Sequence, residues 1–104
     1  MPSVKVSPEA AQELEEAAVW YEKEQIGLGS RLLASFEHAL KLLGEANPPL
    51  TPMQGEAANL GAKKLLLHRF PFSVITIELS QTIVVVALAH HSRKPGYWKP
   101  RVNP

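Results

Sequence analysis

The 104-residue sequence contains no cysteine and no aspartate. The absence of cysteine excludes a disulfide scaffold, a thiolate zinc site, an iron–sulfur cluster and a cysteine nucleophile. Without aspartate, and without a patterned nucleophile elbow, Ser35 and Ser92 have no plausible catalytic triad. The longest apolar run, Ile83 to Ala89, is far below the roughly 18 residues that are needed to cross a bilayer.

The sequence also has a small net charge and no recognisable signal peptide. The formal net charge is +1, which excludes a strongly basic nucleic-acid arm or an acidic tail as a feature of the whole chain. The first ten residues, MPSVKVSPEA, lack the apolar core of a signal peptide. The length suits one hydrophobic core. We therefore expect residues 1–104 to form a single domain of a small cytoplasmic protein.

The small net charge hides an asymmetry between the two halves of the chain. Residues 1–59 hold nine Glu against four Lys or Arg, a balance of −5, and residues 60–104 hold seven Lys or Arg against one Glu, a balance of +6. Either the split arose by chance or one face of the protein meets a polyanion or an acidic partner. Four of the seven cations fall close to Tyr97 and Trp98, which favours the second interpretation.

The first half of the chain predicts a short strand followed by a helix. The alternation of residues 4–6 is typical of a strand. Residues 7–9, Ser-Pro-Glu, are typical of a helix start, because they supply an N-cap, a proline at the first helical position and an acid near the positive end of the dipole. The helix should end near Glu24. Its apolar stripe is Ala11, Leu14, Ala18 and Tyr21.

A second helix should follow the glycines at 27 and 29, and the prolines at 48 and 49 cannot continue it. Its apolar stripe comprises Leu32, Leu33, Phe36, Ala39, Leu40 and Leu43. Two amphipathic helices joined by a short turn make a hairpin that needs a partner layer. Residues 45–59, which are rich in proline, glycine and small side chains, predict a mobile loop without a core contribution.

Three strand-like runs occupy the second half, at residues 63–69, 72–79 and 82–89. They are separated by Phe-Pro and Ser-Gln pairs, which predicts consecutive hairpins. The last run is apolar throughout, which is typical of a central strand covered on both faces. The predicted class is α+β, a two-helix hairpin packed on a mainly antiparallel sheet in the order β-α-α-β-β-β.

The C-terminal tail, residues 89–104, contains many of the side chains that could bind a target or take part in catalysis. It follows the most apolar strand and crowds together two His, two Arg, two Lys, a Tyr and a Trp. Cations position phosphates and aromatic rings stack on bases, so the tail suits RNA or another anionic target. The alternative is that Tyr97 and Trp98 fold back to cap the sheet, with the cations merely solvated.

Neither a metal nor a cofactor is predicted. His90 and His91 are adjacent on an extended backbone and point opposite ways, and no third ligand is near. Residues 27–29, Gly-Leu-Gly, lack the preceding strand and third glycine of a nucleotide fingerprint. Lys63 and Lys64 open a strand, so one should face the helices and the other the open face. They either contact a phosphate or protect an edge strand from aggregation.

Taken together, these elements resemble the ParE/RelE superfamily of toxins from type II toxin–antitoxin modules, including plasmid stabilisation proteins. The resemblance covers nearly the whole chain and keeps the order of elements. Four stretches carry it: Ala-Val-Trp-Tyr-Glu at 18–22, Gly-Leu-Gly-Ser-Arg-Leu-Leu at 27–33, Leu-His-Arg-Phe-Pro-Phe at 67–72, and Val-Ala-Leu-Ala-His at 86–90 leading into Arg-Lys-Pro-Gly-Tyr-Trp at 93–98.

The resemblance implies a cognate antitoxin that wraps the toxin and masks its basic face, with no membrane and no small-molecule cofactor. RelE-like members cleave mRNA in the ribosome, whereas ParE-like members inhibit DNA gyrase by binding. The Phe-Pro-Phe turn and the tail place this sequence nearer the ParE branch. Three functions stay open: a gyrase inhibitor, a ribosome-dependent endoribonuclease and an inactive antitoxin-binding module.

The resemblance also implies site residues. A nuclease would use His90 or Tyr97 for proton transfer, and Arg93 with Lys64 for charge on the scissile phosphate. The remaining side chains are expected to bind the target or nucleic acid. They are Lys63, Arg69, Lys94, Trp98, Lys99 and Arg101.

Overall fold

The computed structural model describes residues 3–102. Two helices lie between a first short strand and the rest of a five-stranded sheet, so the predicted α+β class and order of the main elements are confirmed. Two short helices and one further short strand add to them. The elements are β1 Ser3–Val6, α1 Pro8–Glu24, α2 Leu28–Leu43, β2 Thr51–Pro52, α3 Glu56–Asn59, β3 Lys63–Leu66, β4 Phe72–Leu79, β5 Thr82–His90 and α4 Lys99–Val102.

Local chemistry sets the start of α1 and the turn into α2. The Ser7 hydroxyl accepts a hydrogen bond from the Ala10 amide at 3.1 Å, which caps α1 as predicted. The Glu22 carboxylate accepts from the amides of Gly27 and Gly29 at the start of α2. A Cβ atom at Gly29 would lie 2.6 Å from the Ala18 carbonyl oxygen, so this close approach of the helices requires glycine.

The sheet has the strand order β1-β5-β4-β3-β2. Strand β1 runs parallel to β5, and the other neighbours are antiparallel, in agreement with the prediction of a mainly antiparallel sheet. β1 pairs with β5 only as far as Val6 opposite Val85, because the chain then enters α1. The edge of β5 beyond Val85 therefore has no strand beside it.

A β-bulge in β5 changes which residues face the helices. Ile75 of β4 lies opposite Ala87 and Thr76 lies opposite Val85, so Val86 has no partner on β4. Val85 and Leu88 pack toward the helices, whereas Val86 and Ala87 pack on the other face. The bulge reverses the alternation for the last third of the strand and so sets the direction in which the tail leaves the sheet.

Each face of the sheet carries its own hydrophobic core. The α1–α2 hairpin covers one face with a cluster that includes Leu32, Phe36 and Leu43. The opposite face is covered by α3 and the tail, with Ala57 and Trp98 buried against the strands. The prediction that β5 is covered on both faces is confirmed, because buried β5 residues contribute to both clusters.

Four details of the prediction are wrong. Leu33, which was placed in the apolar stripe of α2, is 41% exposed. Residues 45–59 are not an empty loop, since they contain β2 and α3, and Ala57 is buried. The strand predicted for residues 63–69 ends at Leu66, because Arg69 has a φ of 70° and belongs to a turn. The buried stripe of α1 runs through Ala10, which is fully buried, and not through Ala11, which is exposed.

Across residues 3–102 every buried side-chain nitrogen or oxygen has a hydrogen-bond partner. None of the helices in this range is long and apolar enough to cross a membrane.

Candidate functional site

The C-terminal tail turns back along β5 after the strand ends, and the structure describes it as far as Val102. The His91 amide donates to the Pro71 carbonyl at 2.9 Å, which ties the end of β5 to the β3–β4 turn. Two tight turns follow, in which Arg93 N donates to His90 O and Tyr97 N donates to Lys94 O. Residues 91–94 therefore lie at one end of the sheet, and the later residues run back beside β5.

A polar cluster formed by Glu13, Tyr97 and Arg101 fastens this returning segment to α1; we refer to it as the Glu13 cluster. The Tyr97 hydroxyl donates to Glu13 Oε2 at 2.5 Å. The Arg101 guanidinium donates to both carboxylate oxygens, at 2.9 and 3.1 Å. The side chains of Arg101 and Glu13 are only 22% and 17% exposed, so this bidentate pair is mostly shielded from water.

The Glu13 cluster also completes the edge of β5 that β1 leaves open. The Leu88 amide donates to Glu13 Oε1 at 3.0 Å, and the carbonyl of the bulged residue Val86 accepts from Arg101 Nη1 at 2.9 Å. Unpaired backbone groups at a half-buried edge would each cost free energy. Side chains thus take the place of a neighbouring strand along this part of β5.

The cluster shifts the protonation equilibria of its members. Burial raises the pKa of Glu13, but the hydrogen bonds from Arg101, Tyr97 and Leu88 outweigh it, and the net pKa is lowered. Burial, followed by the hydrogen bond to Glu13, raises the pKa of Tyr97 well above its usual value. The hydrogen bond to Glu13 raises the pKa of Arg101. At neutral pH the cluster therefore holds a carboxylate, a neutral phenol and a guanidinium.

Trp98 is not a surface residue, which corrects its predicted role in target binding. The side chain is 1% exposed and lies in the second core with Ile75 and Val86. An indole enclosed on all sides offers no plane on which a base could stack. The alternative given by the sequence, in which Tyr97 and Trp98 fold back onto the sheet, is the arrangement that the structure shows.

Two of the four tail cations are also committed to contacts within the protein. Arg101 is held in the Glu13 cluster, and Lys99 Nζ lies 3.2 Å from Glu56 Oε2. Both carboxylates come from the acidic first half of the chain, so the charge asymmetry partly cancels inside the fold. Arg101 and Lys99 are thus paired with carboxylates of the same chain, and their predicted role in target binding stays a prediction.

Arg93 and Lys94 are the tail cations whose side chains are exposed at the end of the sheet. The Arg93 guanidinium carbon lies 3.9 Å from the centroid of the Tyr97 ring, which is a cation–π contact, and the Arg93 side chain is nevertheless exposed. The Glu13 carboxylate is hydrogen-bonded to Tyr97 and Arg101, so it does not neutralise the charges of Arg93 and Lys94. Arg93 and Lys94 can therefore contact an anionic surface.

The four residues predicted to support cleavage are not assembled into one site. Tyr97 is bound to Glu13, and His90 packs edge to face on Phe72, with its Nδ1 atom 2.7 Å from the Ser92 hydroxyl. Lys64 lies on β3, on the face opposite the helices, and β4 separates it from β5. Of the four, Arg93 and Tyr97 are in direct contact.

The two histidines and the two lysines obey the predicted alternation. His90 contacts Phe72 on the helix side, whereas His91 Nε2 lies 3.1 Å from the Ser73 hydroxyl on the other face. Lys63 has the same parity as Leu65, which packs toward the helices, and Lys64 has the opposite parity. Lys63 lines a cleft beside Glu78, away from the tail.

Arg69 belongs to a second surface, a groove of about 670 Å³ between the helical hairpin and the β3–β4 turn. The Ser35 hydroxyl donates to the His68 carbonyl at 3.0 Å and joins α2 to this turn. Apolar groups form much of the groove, with two arginines and two histidines beside them. The lining residues are Tyr21, Leu28, Arg31, Ala34, Ser35, His38, His68, Arg69, Phe70 and Pro71.

Among residues 3–102, no three His or Glu side chains form a group that could hold a metal ion. The pairs at His90–Ser92 and Ser73–His91 are hydrogen bonds between neighbouring side chains.

Glu13 is the functional-site residue that the sequence analysis missed. It lies outside the apolar stripe predicted for the first helix, so the sequence analysis assigned it no role. A signal was nevertheless present, because Glu13 stands three residues after Ala10 and four before Ala17, in line with the buried stripe. A carboxylate in such a stripe requires partners, and the tail supplies them.

Comparison with known proteins supports the architecture. No protein-family model matches the sequence, and no curated protein matches it. Among solved structures, the fold is similar to a chain of the chromosomal ParDE TA system from P. aeruginosa, with a TM-score of 0.72 and 22% sequence identity. The similarity covers 86% of this chain and 96% of that chain. The predicted fold, a two-helix hairpin packed on a mainly antiparallel sheet, is therefore confirmed as one that a chain of the ParDE system also has.

Proposed function

We propose that this chain is the toxin of a type II toxin–antitoxin pair, that it arrests growth by binding DNA gyrase, and that a cognate antitoxin neutralises it. The similarity in fold to a chain of the P. aeruginosa ParDE system supports the toxin class. The sequence resemblance to the ParE branch, over nearly the whole chain, supports gyrase as the target.

The hydrogen bond and the protonation of the Tyr97 hydroxyl favour a toxin that binds its target over one that cleaves RNA. General acid–base cleavage needs a proton-transfer group within hydrogen-bond reach of the reacting atoms. The Tyr97 hydroxyl instead donates to Glu13, and burial with this hydrogen bond raises the pKa of Tyr97, so the hydroxyl stays protonated at neutral pH and cannot accept a proton. The Nδ1 atom of His90, the other predicted proton-transfer group, is hydrogen-bonded to Ser92. Lys64 lies on β3, and β4 separates it from β5 and the tail. The exposed cations Arg93 and Lys94 suit an electrostatic binding surface.

The groove at the helical hairpin supports the proposed antitoxin. Its apolar groups and its arginines, Arg31 and Arg69, fit an amphipathic segment that carries acidic residues. Both arginines are exposed, so a carboxylate can approach them from solvent. The target-binding cations and the groove are formed by different residues, and substitutions can separate their functions.

The central experiment compares two targets in one set of samples. Expression without an antitoxin should arrest growth, and the purified protein should abolish gyrase supercoiling while transcripts stay intact in primer-extension maps. Arg93→Ala should lose most of this inhibition, and Arg31→Ala, which removes an exposed cation on the other surface, should retain it. Discrete codon-register cuts with normal supercoiling would instead identify a ribosome-dependent endoribonuclease.

A second experiment tests the antitoxin surface. Charge reversal at Arg31→Glu together with Arg69→Glu should weaken binding of the cognate antitoxin by at least about tenfold, because like charges then face each other. Arg93→Glu together with Lys94→Glu reverses the same number of charges outside the groove and should bind antitoxin normally. A chain that binds antitoxin but causes neither growth arrest nor gyrase inhibition would be an inactive binding module, contrary to the proposal.

A further inference from the structure

The position of Arg93 is unusual for an exposed arginine, because the guanidinium rests on an aromatic ring. Its central carbon lies 3.9 Å from the Tyr97 ring centroid, and the Arg101 guanidinium lies 5.2 Å from the same centroid. An arginine on the surface usually samples many rotamers and loses that freedom when it binds a partner. A guanidinium that is already held by a ring loses less, so its orientation before binding affects affinity.

The Tyr97 ring is itself fixed from its far end. The hydroxyl donates to Glu13 Oε2, and a second, longer contact reaches the Leu88 carbonyl at 3.4 Å. The next residue, Trp98, is buried in the second core and anchors the backbone. The direction of the ring therefore depends on the carboxylate of α1, 84 residues earlier in the chain.

A continuous path of contacts thus joins the interior of α1 to the exposed end of the tail. It runs from the Glu13 carboxylate through the Tyr97 hydroxyl and ring to the Arg93 guanidinium. Arg101, which donates to both oxygens of this carboxylate, keeps Glu13 ionised and aligned. Removing the carboxylate or the hydroxyl would break the path without touching Arg93.

We infer that Glu13 is a positioning residue of the target-binding surface, which it serves by fixing the Tyr97 ring and, through that ring, the Arg93 guanidinium. The inference rests on the proposed function for the identity of the target. It goes beyond that function because it assigns part of the binding strength to a residue of the first helix that does not itself contact the target.

A purely structural role for Glu13 makes a different prediction. In that case the loss of the carboxylate would lower the melting temperature, but the molecules that remain folded would bind the target as before. The two roles are separated by measuring the orientation of Arg93 and the inhibition per folded molecule, at a temperature where every variant is fully folded.

The experiment uses four full-length proteins: wild type, Glu13→Gln, Tyr97→Phe and the control Glu56→Gln. Glu13→Gln removes the charge, and Tyr97→Phe keeps the ring but removes its link to Glu13. Glu56→Gln breaks the other ion pair of the tail, with Lys99, and leaves Tyr97 alone. NMR of the Arg93 side chain reports its ring-current shift, and a supercoiling assay reports the concentration that gives half inhibition.

We expect Glu13→Gln and Tyr97→Phe to lose most of the Arg93 ring-current shift and to need about tenfold more protein for half inhibition. Glu56→Gln should match wild type in both measurements. The inference is overturned if either of the first two variants keeps the ring-current shift, or if both lose it and inhibit as well as wild type. If wild type does not inhibit gyrase, the proposed function fails and the target-binding part of the inference fails with it, while the NMR result still decides whether Glu13 positions Arg93.

Discussion

The outer half of the C-terminal tail, residues 91–94, and its inner half, residues 95–102, both contain cations but lie in different environments. In the outer half, Arg93 and Lys94 are exposed at the end of the sheet. In the inner half, Trp98 is buried and Arg101 is bound to Glu13. A run of cations and aromatics is therefore not by itself a binding surface, because the contacts that each residue makes decide whether it can bind a partner or stabilises the fold.

The largest expected effect comes from the centre of the inner half. Trp98→Ala would leave a cavity in the second core, and we expect a loss of about 3–5 kcal/mol in the free energy of unfolding. Urea denaturation followed by circular dichroism measures it. A loss below about 1 kcal/mol would show that the inner half is not a structural element and would remove the distinction between the halves.

The next effect concerns the polar attachment of the inner half. Glu13→Ala leaves the Leu88 amide, the Tyr97 hydroxyl and the Arg101 guanidinium without their shared acceptor, and should cost about 2–4 kcal/mol. A double-mutant cycle with Tyr97→Phe should give a coupling energy of about 1–3 kcal/mol. The exposed Glu16→Ala, one turn along the same helix, is the control. If the effects of Glu13→Ala and Tyr97→Phe on the free energy of unfolding are additive, the two side chains do not interact energetically and the cluster does not stabilise the fold.

A smaller effect is expected in the pH dependence of stability. The pKa of Glu13 is lowered in the folded protein, so its contribution is present above the usual glutamate pKa and is lost as the pH falls through the folded value. The pKa of Tyr97 is raised, so its contribution is present below about pH 10 and is lost as the pH rises above that. Thermal melts of Glu13→Gln and Tyr97→Phe should lack the acid and alkaline decline, respectively, that wild type shows. Parallel pH profiles for wild type and both variants would refute these assignments.

The smallest effect on stability is expected in the outer half. Arg93→Ala and Lys94→Ala should change the free energy of unfolding by less than about 0.5 kcal/mol, since both side chains are exposed. The same substitutions should nevertheless weaken gyrase inhibition more than any exposed substitution on α1. Denaturation and supercoiling assays on the same preparations compare the two quantities. A large loss of stability in Arg93→Ala would contradict this prediction and would show that Arg93 stabilises the fold, as the residues of the inner half do.

Much of the fold could be predicted because local patterns carry it. Ser7 and Pro8 start α1, the glycines at 27 and 29 separate the helices, and β4 has the bounds that its alternation predicts. The bulge at Val86 could not be predicted, since an entirely apolar run has no alternation whose reversal would mark the extra residue. Helix α3 was missed because a single turn has too few residues to show a period.

The sequence singled out the C-terminal tail, but it could not predict how the residues of the tail are arranged. Arg93, Lys94 and the contact between Arg93 and Tyr97 lie in the tail that composition singled out. Composition could not separate Trp98 from these residues, because burial of an indole depends on which strands face it. The role of Glu13 was missed because its partners are 84 and 88 residues away in the sequence.

Hydrophobic periodicity, helix caps and turn residues act over a few positions. They were sufficient to determine the two long helices, the main strands and the order of these elements along the chain. The pairing of Glu13 with Tyr97 and Arg101, and the burial of Trp98, were decided by the tertiary structure alone. The physical reason is that β1 stops short of the end of β5. The exposed backbone groups and apolar face that remain there must be satisfied by whatever side chains the returning tail brings to them.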